Sequence, residues 1–342
     1  MKQEDKIETN ADKTKITYTV GSKNVTKATF GAGVAWNTSQ PYYNATLSGY
    51  IFSSDTAIDA KNLTLTLTDS QKDSLKANDS MTLLTASGIS DSNSVIQPDN
   101  NTFKLSRTGD LGTNFDGTAT GNVFTETDAV KYKISKIETD RITLGSRSWT
   151  ADAESLPDTW TAKTGTVIEA NDFAFTTKAE TALASGDTKT LVEGSGFIAG
   201  SNIANKTLGI EYTDNSVKLG ATAYGQIETI TDAVQYKVSS VALDSLDISG
   251  WKSSNDASSV PIGWVANTDG VNVTATNFDP QLTSGSKTII TATTAAFSDN
   301  KIDENIRYKA DYFSNNSENG VSFSGYEEGG VKATDNGKAL TY

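Results

Sequence analysis

The stretch TDAVKYKISKI, residues 127–137, recurs as TDAVQYKVSSV at residues 231–241. Seven of the eleven positions are identical, and two of the other four exchange Ile for Val. Tyr132 and Tyr236 occupy the same place in the two phrases and lie 104 residues apart. Self-similarity at a fixed spacing indicates a chain built from tandem copies of one structural unit.

A second phrase marks the same unit three times. SMTLLTA ends at Ala86, TKTLVEG at Gly194 and SKTIITA at Ala292, each after a Leu and a short polar turn. KITYTV, near the start of the chain, also matches AVKYKI and AVQYKV. We therefore predict a polar N-terminal extension followed by three divergent repeats, with boundaries at residues 1–14, 15–121, 122–225 and 226–342.

The five tryptophans fall at equivalent places in the repeats. One in each copy closes a short strand-like stretch, at Trp36, Trp149 and Trp251, and Trp160 and Trp264 follow a proline in the second and third copies. The first copy has QPYYN at that place, so we expect its Tyr42 or Tyr43 to replace the tryptophan. Such rings could form a sugar-stacking platform, but recurrence in every copy favours packing in the core of each unit.

Composition and hydrophobic alternation both predict an all-β chain. Thr, Ser, Asn, Asp and Gly dominate the polar residues, and these types favour strands and turns over helices. NLTLTLT (62–68) alternates Leu with Thr as a half-buried strand does, and VNVTAT (271–276) and VSFSGY (321–326) behave similarly. The one helix-like stretch is TDSQKDSLKAND, from Thr68.

Two architectures fit a unit of this size. An elongated β-solenoid, a right-handed parallel β-helix, would use about four or five coils of roughly 20–25 residues in each repeat. The alternative is a string of β-sandwich domains of about 100 residues each. Low proline content and the lack of linkers between copies favour the solenoid, whereas one set of Trp and Tyr anchors per unit favours the sandwich.

Charge and residue types exclude several classes of function. The formal net charge of −13 opposes binding to nucleic acid and to anionic membrane surfaces. The chain has neither cysteine nor histidine, so serine triads, Cys–His dyads and histidine metal sites are excluded together. We predict no catalytic residues and no cofactor, and calcium is the one ion that the sequence leaves open.

The chain carries no recognisable targeting or membrane segment. MKQEDKIETNADK at the start is polar throughout, and no run of about eighteen apolar residues follows. We therefore interpret the sequence as a piece of a longer protein that is not itself embedded in a membrane and is anchored through regions outside this sequence.

Several phrases resemble the passenger repeats of large autotransporter-type bacterial surface adhesins. They are ALASGDTKTLVEGSGF (182–197), NKTLGIEYTDNSVKLGATA (205–223) and the pair TGNVFTETDAVKYKIS (120–135) and YGQIETITDAVQYKVS (224–239). The resemblance covers nearly the whole chain in style and period. It implies an extracellular segment on the bacterial cell surface, commonly a β-helix, and it carries over no binding residue.

Carboxylates and amides give the only candidates for chemistry. Paired carboxylates can hydrolyse glycosides, but here they are scattered over all copies. Oxygen ligands for calcium occur in SDNKIDENI and GTNFDGT, whose candidate residues are Asp299, Asn300, Asp303, Glu304, Asn114 and Asp116. LPDTW (156–160) is similar to a sortase signal but lacks the following Gly, so we interpret it as a structural feature of the repeat. Glycosylation sequons at Asn24, Asn44, Asn62, Asn205 and Asn272 follow from composition.

The function predicted from the sequence is a non-enzymatic segment of a bacterial surface adhesin. It would serve as a stalk, a ligand-binding region or both, in attachment to a protein or glycan on host cells or other bacteria. The alternatives are a polysaccharide-active β-helix enzyme and a structural surface-layer or fibre protein.

Overall fold

The architecture is described for residues 6–342 of a computed structural model, except positions 20, 22, 201, 277 and 295 and segments 46–48, 92–94, 177–181, 279–284, 298–300 and 303–329. The described chain is all-β with one short helix, which confirms the predicted class. No helix in this part of the chain is long and apolar enough to cross a membrane.

The elements follow one another in three stretches of the chain. The first contains β1 Lys6–Thr9, β2 Ile16–Thr19, β3 Lys23–Asn24, β4 Lys27–Thr29, β5 Val34–Ala35, β6 Tyr43–Asn44, β7 Tyr50–Ile51, β8 Ala57–Asp59, β9 Leu65–Thr66, α1 Asp69–Ser74 and β10 Ser80–Thr85. The second contains β11 Val95–Thr108, β12 Asn114–Glu126, β13 Ala129–Thr143, β14 Arg147–Ser148, β15 Glu154–Ser155, β16 Trp160–Thr161, β17 Val167–Glu169, β18 Phe175–Thr176 and β19 Thr188–Glu193. The third contains β20 Asn202–Asp214, β21 Val217–Ile230, β22 Ala233–Asp247, β23 Ser258–Ser259, β24 Trp264–Ala266, β25 Asn272–Thr274, β26 Thr288–Thr291, β27 Lys301–Ile302, β28 Lys332–Thr334 and β29 Ala339–Thr341.

The chain divides into two compact units. The first consists of residues 1–143, 155–169 and 194–197, and the second of residues 144–154, 170–193 and 198–342. Each unit is built around three long antiparallel strands connected by tight turns. We call β11–β13 the first meander and β20–β22 the second meander.

The first meander lies in a sheet of order β11-β12-β13-β10-β6. Buried and partly exposed side chains alternate along most of β12, as expected for a sheet with one buried face. Asp128 adopts a φ of +56° in the two-residue turn between β12 and β13, and its carboxylate accepts a 2.7 Å hydrogen bond from the amide of Gly88. Asp tolerates this left-handed conformation better than most residues, which explains part of the TDAV phrase.

The second meander repeats this arrangement in the order β15-β19-β22-β21-β20. Asp232 takes the place of Asp128, with a φ of +58°. The hairpin between β20 and β21 has its two-residue turn at Asn215 and Ser216. Both residues have positive φ, as the preferred two-residue hairpin turn requires. The register also repeats, because Met81 pairs with Tyr132 in the first sheet and Lys189 pairs with Tyr236 in the second.

A third sheet, of order β23-β26-β29-β28, keeps the same register near the end of the chain. Lys287 and Tyr342 exchange backbone hydrogen bonds of 2.9 and 3.1 Å, as a directly opposed pair. Tyr342 is therefore the structural counterpart of Tyr132 and Tyr236. The phrase ALTY (339–342) replaces AVKY and AVQY, a third occurrence that the sequence comparison missed.

The long strands correct the predicted right-handed parallel β-helix, because both meanders are antiparallel. Parallel pairing occurs between short strands, some of them paired with the end of a long one. It joins β3 to β7, β4 to β8, β5 to β9, β6 to β10, β13 to β16 and β17, β14 to β18, β22 to β24 and β25, β23 to β26 and β25 to β27. Each of the two units thus combines an antiparallel meander with short parallel strands.

The finer sequence predictions have mixed outcomes. The helix-like stretch is α1, which begins after Thr68 with a capping box formed by Thr68 and Gln71. The strand expected over 62–68 is limited to β9, and VSFSGY lies outside the described residues. The predicted repeat boundaries after residues 121 and 225 fall within β12 and β21. The division into three repeats stays a prediction.

Candidate functional site

The tryptophans belong to the cores of the two units. Trp36, Trp160, Trp251 and Trp264 are only 6%, 3%, 0% and 1% exposed. A ring that solvent does not reach offers no face to a sugar, so burial confirms the packing interpretation for these four. Trp149 is half-buried and packs edge-on against Phe175 and Tyr236.

One aromatic cluster recurs along the chain. Its second copy joins Trp149 to Phe175 (5.2 Å between ring centroids) and Phe175 to Tyr236 (5.2 Å). Its third copy joins Trp251 to Phe278 (6.2 Å) and Phe278 to Tyr342 (5.4 Å). In the first copy Trp36 contacts Tyr132 directly, with centroids 6.0 Å apart. The tyrosines repeated in the sequence are therefore the rings on which the tryptophans pack.

Burial also shapes the chemistry of the repeated tyrosines. Desolvation raises the pKa of Tyr236 to about 12 and raises that of Tyr132 as well. The hydroxyl of Tyr236 donates a 3.1 Å hydrogen bond to the carbonyl of Lys206. Neither phenol is suited to exchange protons near neutral pH, so these side chains are packing groups.

In the first copy, Tyr50 occupies the position that Trp160 and Trp264 hold in the other two copies. Trp160 pairs with Ile137 and Trp264 pairs with Val241 in parallel bridges, and the matching bridge of the first copy joins Tyr50 to Lys23. The expectation for Tyr42 or Tyr43 was therefore wrong. It followed the position of the proline, whereas strand register places the ring seven or eight residues later.

Tyr50 is part of the best candidate binding surface in the described residues, which we call the tyrosine groove. Its volume is about 390 Å³. Tyr42, Tyr43 and Tyr50 are 51%, 50% and 37% exposed along it. Its other lining residues include the buried apolar side chains Phe30, Val34, Ala45, Phe52 and Leu84. An apolar floor with half-exposed phenol rings is suited to bind a partner that is both apolar and hydrogen-bonding.

Two lysines lie at the tyrosine groove, although the chain as a whole is acidic. The ammonium group of Lys23 lies 5.2 Å from the centroid of the Tyr50 ring. Lys27 forms a 2.8 Å ion pair with Asp59 and lowers the pKa of that carboxyl, with help from the amide of Lys61. Arg141 and Glu169 form the matching pair at 3.5 Å in the next copy. The two ion pairs thus occupy equivalent positions in successive copies.

A second, more polar pocket of about 500 Å³ lies in the second unit. Tyr224, which is 42% exposed, and the buried Phe173 line it together with Asn205 and Ser239. The hydroxyl of Ser239 donates to the carbonyl of Tyr224, as Ser135 does to Thr120 in the first meander. Because these polar contacts maintain the strand geometry, we assign no chemistry to this pocket.

The remaining sequence candidates occupy structural positions. In LPDTW, Trp160 is buried, and Thr159 accepts a 2.8 Å hydrogen bond from the amide of Ala77, which supports the structural interpretation. Asn114 and Asp116 accept hydrogen bonds of 2.8 Å from the hydroxyls of Thr108 and Ser106 on β11. The described residues include no group of three or more acidic side chains that could hold a metal ion.

Asp299, Asn300, Asp303 and Glu304 lie outside the described residues, so calcium binding by them stays a prediction. The sequon asparagines Asn24, Asn44, Asn62, Asn205 and Asn272 are all exposed. Among the described charges, the most deeply buried ion pair joins Arg147 to Glu154 at 3.4 Å, and Arg147 also donates to the carbonyl of Leu191 at 2.7 Å. This pair joins β14 to β15 and β19.

A carboxylate that ties two strands to a loop recurs in both meanders. Asp140 accepts from Thr118 and Lys163, each at 2.5 Å, and from Lys104 at 2.8 Å. Asp244 accepts from Thr222 at 2.7 Å and from Asn267 at 2.5 Å. Burial alone would raise the pKa of Asp140, but the hydrogen bonds from the two lysines and Thr118 outweigh it and lower the pKa to about 2.

This depressed pKa predicts acid sensitivity of the first unit. A carboxyl with a lowered folded-state pKa stabilises the fold above its unfolded pKa, and that contribution is lost as pH falls from about 4 to about 2. With allowance for screening at exposed lysines, we expect Asp140→Asn to cost about 1 kcal/mol near neutral pH and almost nothing near pH 2. Urea unfolding across this pH range measures it. Asp244→Asn is the matched control, because the described hydrogen bonds to Asp244 come from Thr222 and Asn267 and not from a lysine. An equal effect of the two variants at every pH would contradict the assignment.

Comparison with known proteins found no relative of this chain. No family model, no curated protein and no solved structure matches the chain.

Proposed function

We propose that this chain is a non-enzymatic repeat segment of a bacterial surface adhesin, located outside the cell on the bacterial surface. The observation that carries the proposal is the repetition of core contacts. Gly121 underlies Tyr132 and Gly225 underlies Tyr236, at the same bulge in each meander. Repeats that preserve their packing residue by residue are typical of proteins whose units stack or join in series.

The distribution of aromatic and charged groups supports the non-enzymatic part of the proposal. Most of the tryptophans are buried in the repeats, and the paired carboxylates tie strands or bind lysines. A single active site would require a group of residues confined to one copy, whereas the strongest carboxylate arrangement recurs at Asp140 and Asp244.

The stalk role rests on a finer proposal about the fold. The parallel pairing of β4 with β8, and of β17 with the end of β13, joins residues 26 to 30 positions apart, which is near the length of one solenoid coil. We propose that these strands form coil-like connections between successive meanders. Such an arrangement would extend with copy number and could present loops to a protein or glycan on another cell.

An adhesion assay tests the function. Beads coated with the folded chain should bind host epithelial cells or neighbouring bacteria, and soluble chain should compete with them. Beads coated with an unrelated all-β protein of similar net charge provide the control, because a charge of −13 disfavours non-specific adsorption to anionic cell surfaces. Cleavage of any polysaccharide in a broad panel, with no cell binding, would contradict the proposal in favour of an enzyme.

A further inference from the structure

The tyrosine groove lies at positions that carry buried polar side chains in the other copies. Val34 occupies the parallel bridge that Arg147 occupies in the second copy. Tyr43 occupies the bridge that Ser258 occupies in the third copy. Arg147 and Ser258 are 5% and 0% exposed, whereas Tyr43 is 50% exposed. The groove therefore differs from its counterparts in the type of side chain as well as in exposure.

In the other copies these positions make contacts within the protein. Arg147 donates a 2.7 Å hydrogen bond to the carbonyl of Leu191 and pairs with Glu154 at 3.4 Å. The hydroxyl of Ser258 donates a 2.8 Å hydrogen bond to the carbonyl of Asp214. An aliphatic side chain at position 34 can make neither kind of contact. The first copy thus has an apolar surface where the other two have polar links between strands.

The groove combines a buried apolar floor with half-exposed rings. Phe30 and Phe52 are 8% and 6% exposed on the floor, and the rings of Tyr42, Tyr43 and Tyr50 line the opening. Its volume of about 390 Å³ lies within the range of small-molecule pockets, about 300–1,000 Å³. A pyranose ring has an apolar face of C–H groups and a rim of hydroxyls. It therefore matches phenol rings, which offer a flat face and a polar tip.

The charges at the groove are suited to a single carboxylate. Lys27 lines the groove and is paired with Asp59 at 2.8 Å. Lys23 is exposed, and its ammonium group lies 5.2 Å from the centroid of the Tyr50 ring. In the part of the chain that the structure describes, the ion pairs do not include Lys23. A bound anion would therefore meet this ammonium group beside the rings.

The acidic character of the whole chain limits the charge of the ligand. A net charge of −13 repels anions at long range, but the screening length is only about 8 Å at physiological ionic strength. A ligand with one carboxylate placed at Lys23 gains the local contact and meets little of the distant charge. A polyanion would extend beyond the two lysines and be repelled along its length.

We propose that the tyrosine groove binds a carboxylated, N-acetylated sugar at the end of a glycan. The carboxylate pairs with Lys23, the pyranose ring stacks on Tyr43, and the acetyl methyl group lies on the apolar floor at Phe30 and Phe52. An uncharged sugar lacks the first contact, and an aliphatic acid lacks the second. This inference rests on the proposed adhesin function and names the class of ligand for it.

Titration of the full chain with the methyl glycoside of N-acetylneuraminic acid, followed by NMR, tests the proposal. We expect a dissociation constant on the order of 1 mM. The methyl glycoside of N-acetylglucosamine, which has no carboxylate, should bind about fivefold more weakly, the most that an exposed ion pair usually contributes. The methyl glycoside of glucuronic acid, which has no acetyl group, should bind about fourfold more weakly, because one methyl group fewer is buried.

Two variants separate the contacts. Tyr43→Ser introduces the residue type of the third copy and should weaken binding of the acidic sugar about tenfold, because the stacking ring is lost. Lys23→Gln should weaken it about fivefold and leave the binding of N-acetylglucosamine as in the parent. Tyr224→Ser and Lys133→Gln are the matched controls, because both residues are exposed and lie outside the groove. Both should bind like the parent, and all four variants should melt like it.

Several results would overturn the proposal. They are the absence of binding up to about 20 mM sugar, equal affinity for the charged and uncharged sugars, and equal weakening by the control variants. The bead assay distinguishes this failure from failure of the adhesin role. If beads coated with Tyr43→Ser attach to cells like the parent, the adhesin role stands and the groove is not its sugar site. If the chain binds the acidic sugar and its beads attach to no cell, the groove site stands and the adhesin role fails.

Discussion

Replacing Trp251 with alanine is expected to lower the free energy of unfolding of the region around it by about 3–5 kcal/mol. The side chain is fully buried, stacks on Phe278 and connects through it to Tyr342. Its indole nitrogen has no hydrogen-bond partner among the described residues, so the expected loss comes from packing. Alanine would leave a cavity that neighbouring backbone fills only in part.

Trp149→Ala is the matched comparison, because Trp149 holds the same place in the preceding cluster but is half-buried. We expect it to cost about 1–2 kcal/mol, since a partly exposed ring removes less apolar area from water. Hydrogen exchange measured along the chain separates the two effects. Loss of protection in Trp251→Ala should concentrate in β26 and β29, while β11–β13 keep theirs. Uniform loss along the whole chain, or melting like the parent, would refute the cluster as a local packing unit.

The repeated phrases mark the strongest features of the fold because they encode both a turn and a core ring. Asp128 and Asp232 adopt positive φ at the hairpins. Tyr132 and Tyr236 lie four residues later in each strand and are buried. A turn residue and an inward aromatic at a fixed offset determine strand register. That information is local, so it could be read from a single sequence.

The direction of strand pairing could not be read in the same way. Along most of β21, buried residues alternate with partly or fully exposed ones, and either parallel or antiparallel neighbours produce that pattern. Two-residue turns such as Asn215–Ser216 are the local signal for antiparallel pairing. The solenoid prediction followed the low proline content and the lack of linkers between copies, and therefore missed the meanders.

The candidate site was harder to predict because its position depends on register rather than on residue type. Tyr50 corresponds to Trp160 only through the parallel bridge with Lys23. The proline that precedes Trp160 and Trp264 has its first-copy counterpart next to Tyr42, and this misplaced the expected ring. The contrast in exposure between Tyr50 and the two tryptophans carries no signal in the sequence at all.

Replacing Gly225 with alanine is expected to destabilise the second meander by about 1–3 kcal/mol or more. An added Cβ would lie 2.5 Å from the carbonyl oxygen of Lys237 and 2.5 Å from the ring carbon Cζ of Tyr236. The backbone oxygen belongs to the paired strand and cannot move without breaking the sheet. The ring can move only by losing its hydrogen bond to Lys206. Gly121→Ala should have a similar effect in the first meander, where Tyr132 and Lys133 occupy the matching positions.

Gly209→Ala provides the control, because Gly209 also lies in a long strand and an added Cβ meets nothing within 4 Å. Its effect should stay within about 0.5 kcal/mol in urea unfolding. Combining Gly225→Ala with Tyr236→Ala should cost less than the sum of the single changes, because the ring that the new methyl group strikes is gone. Additive costs would show that the ring does not require the glycine. Non-additive costs would establish that each repeated tyrosine and the glycine beneath it act as one packing element.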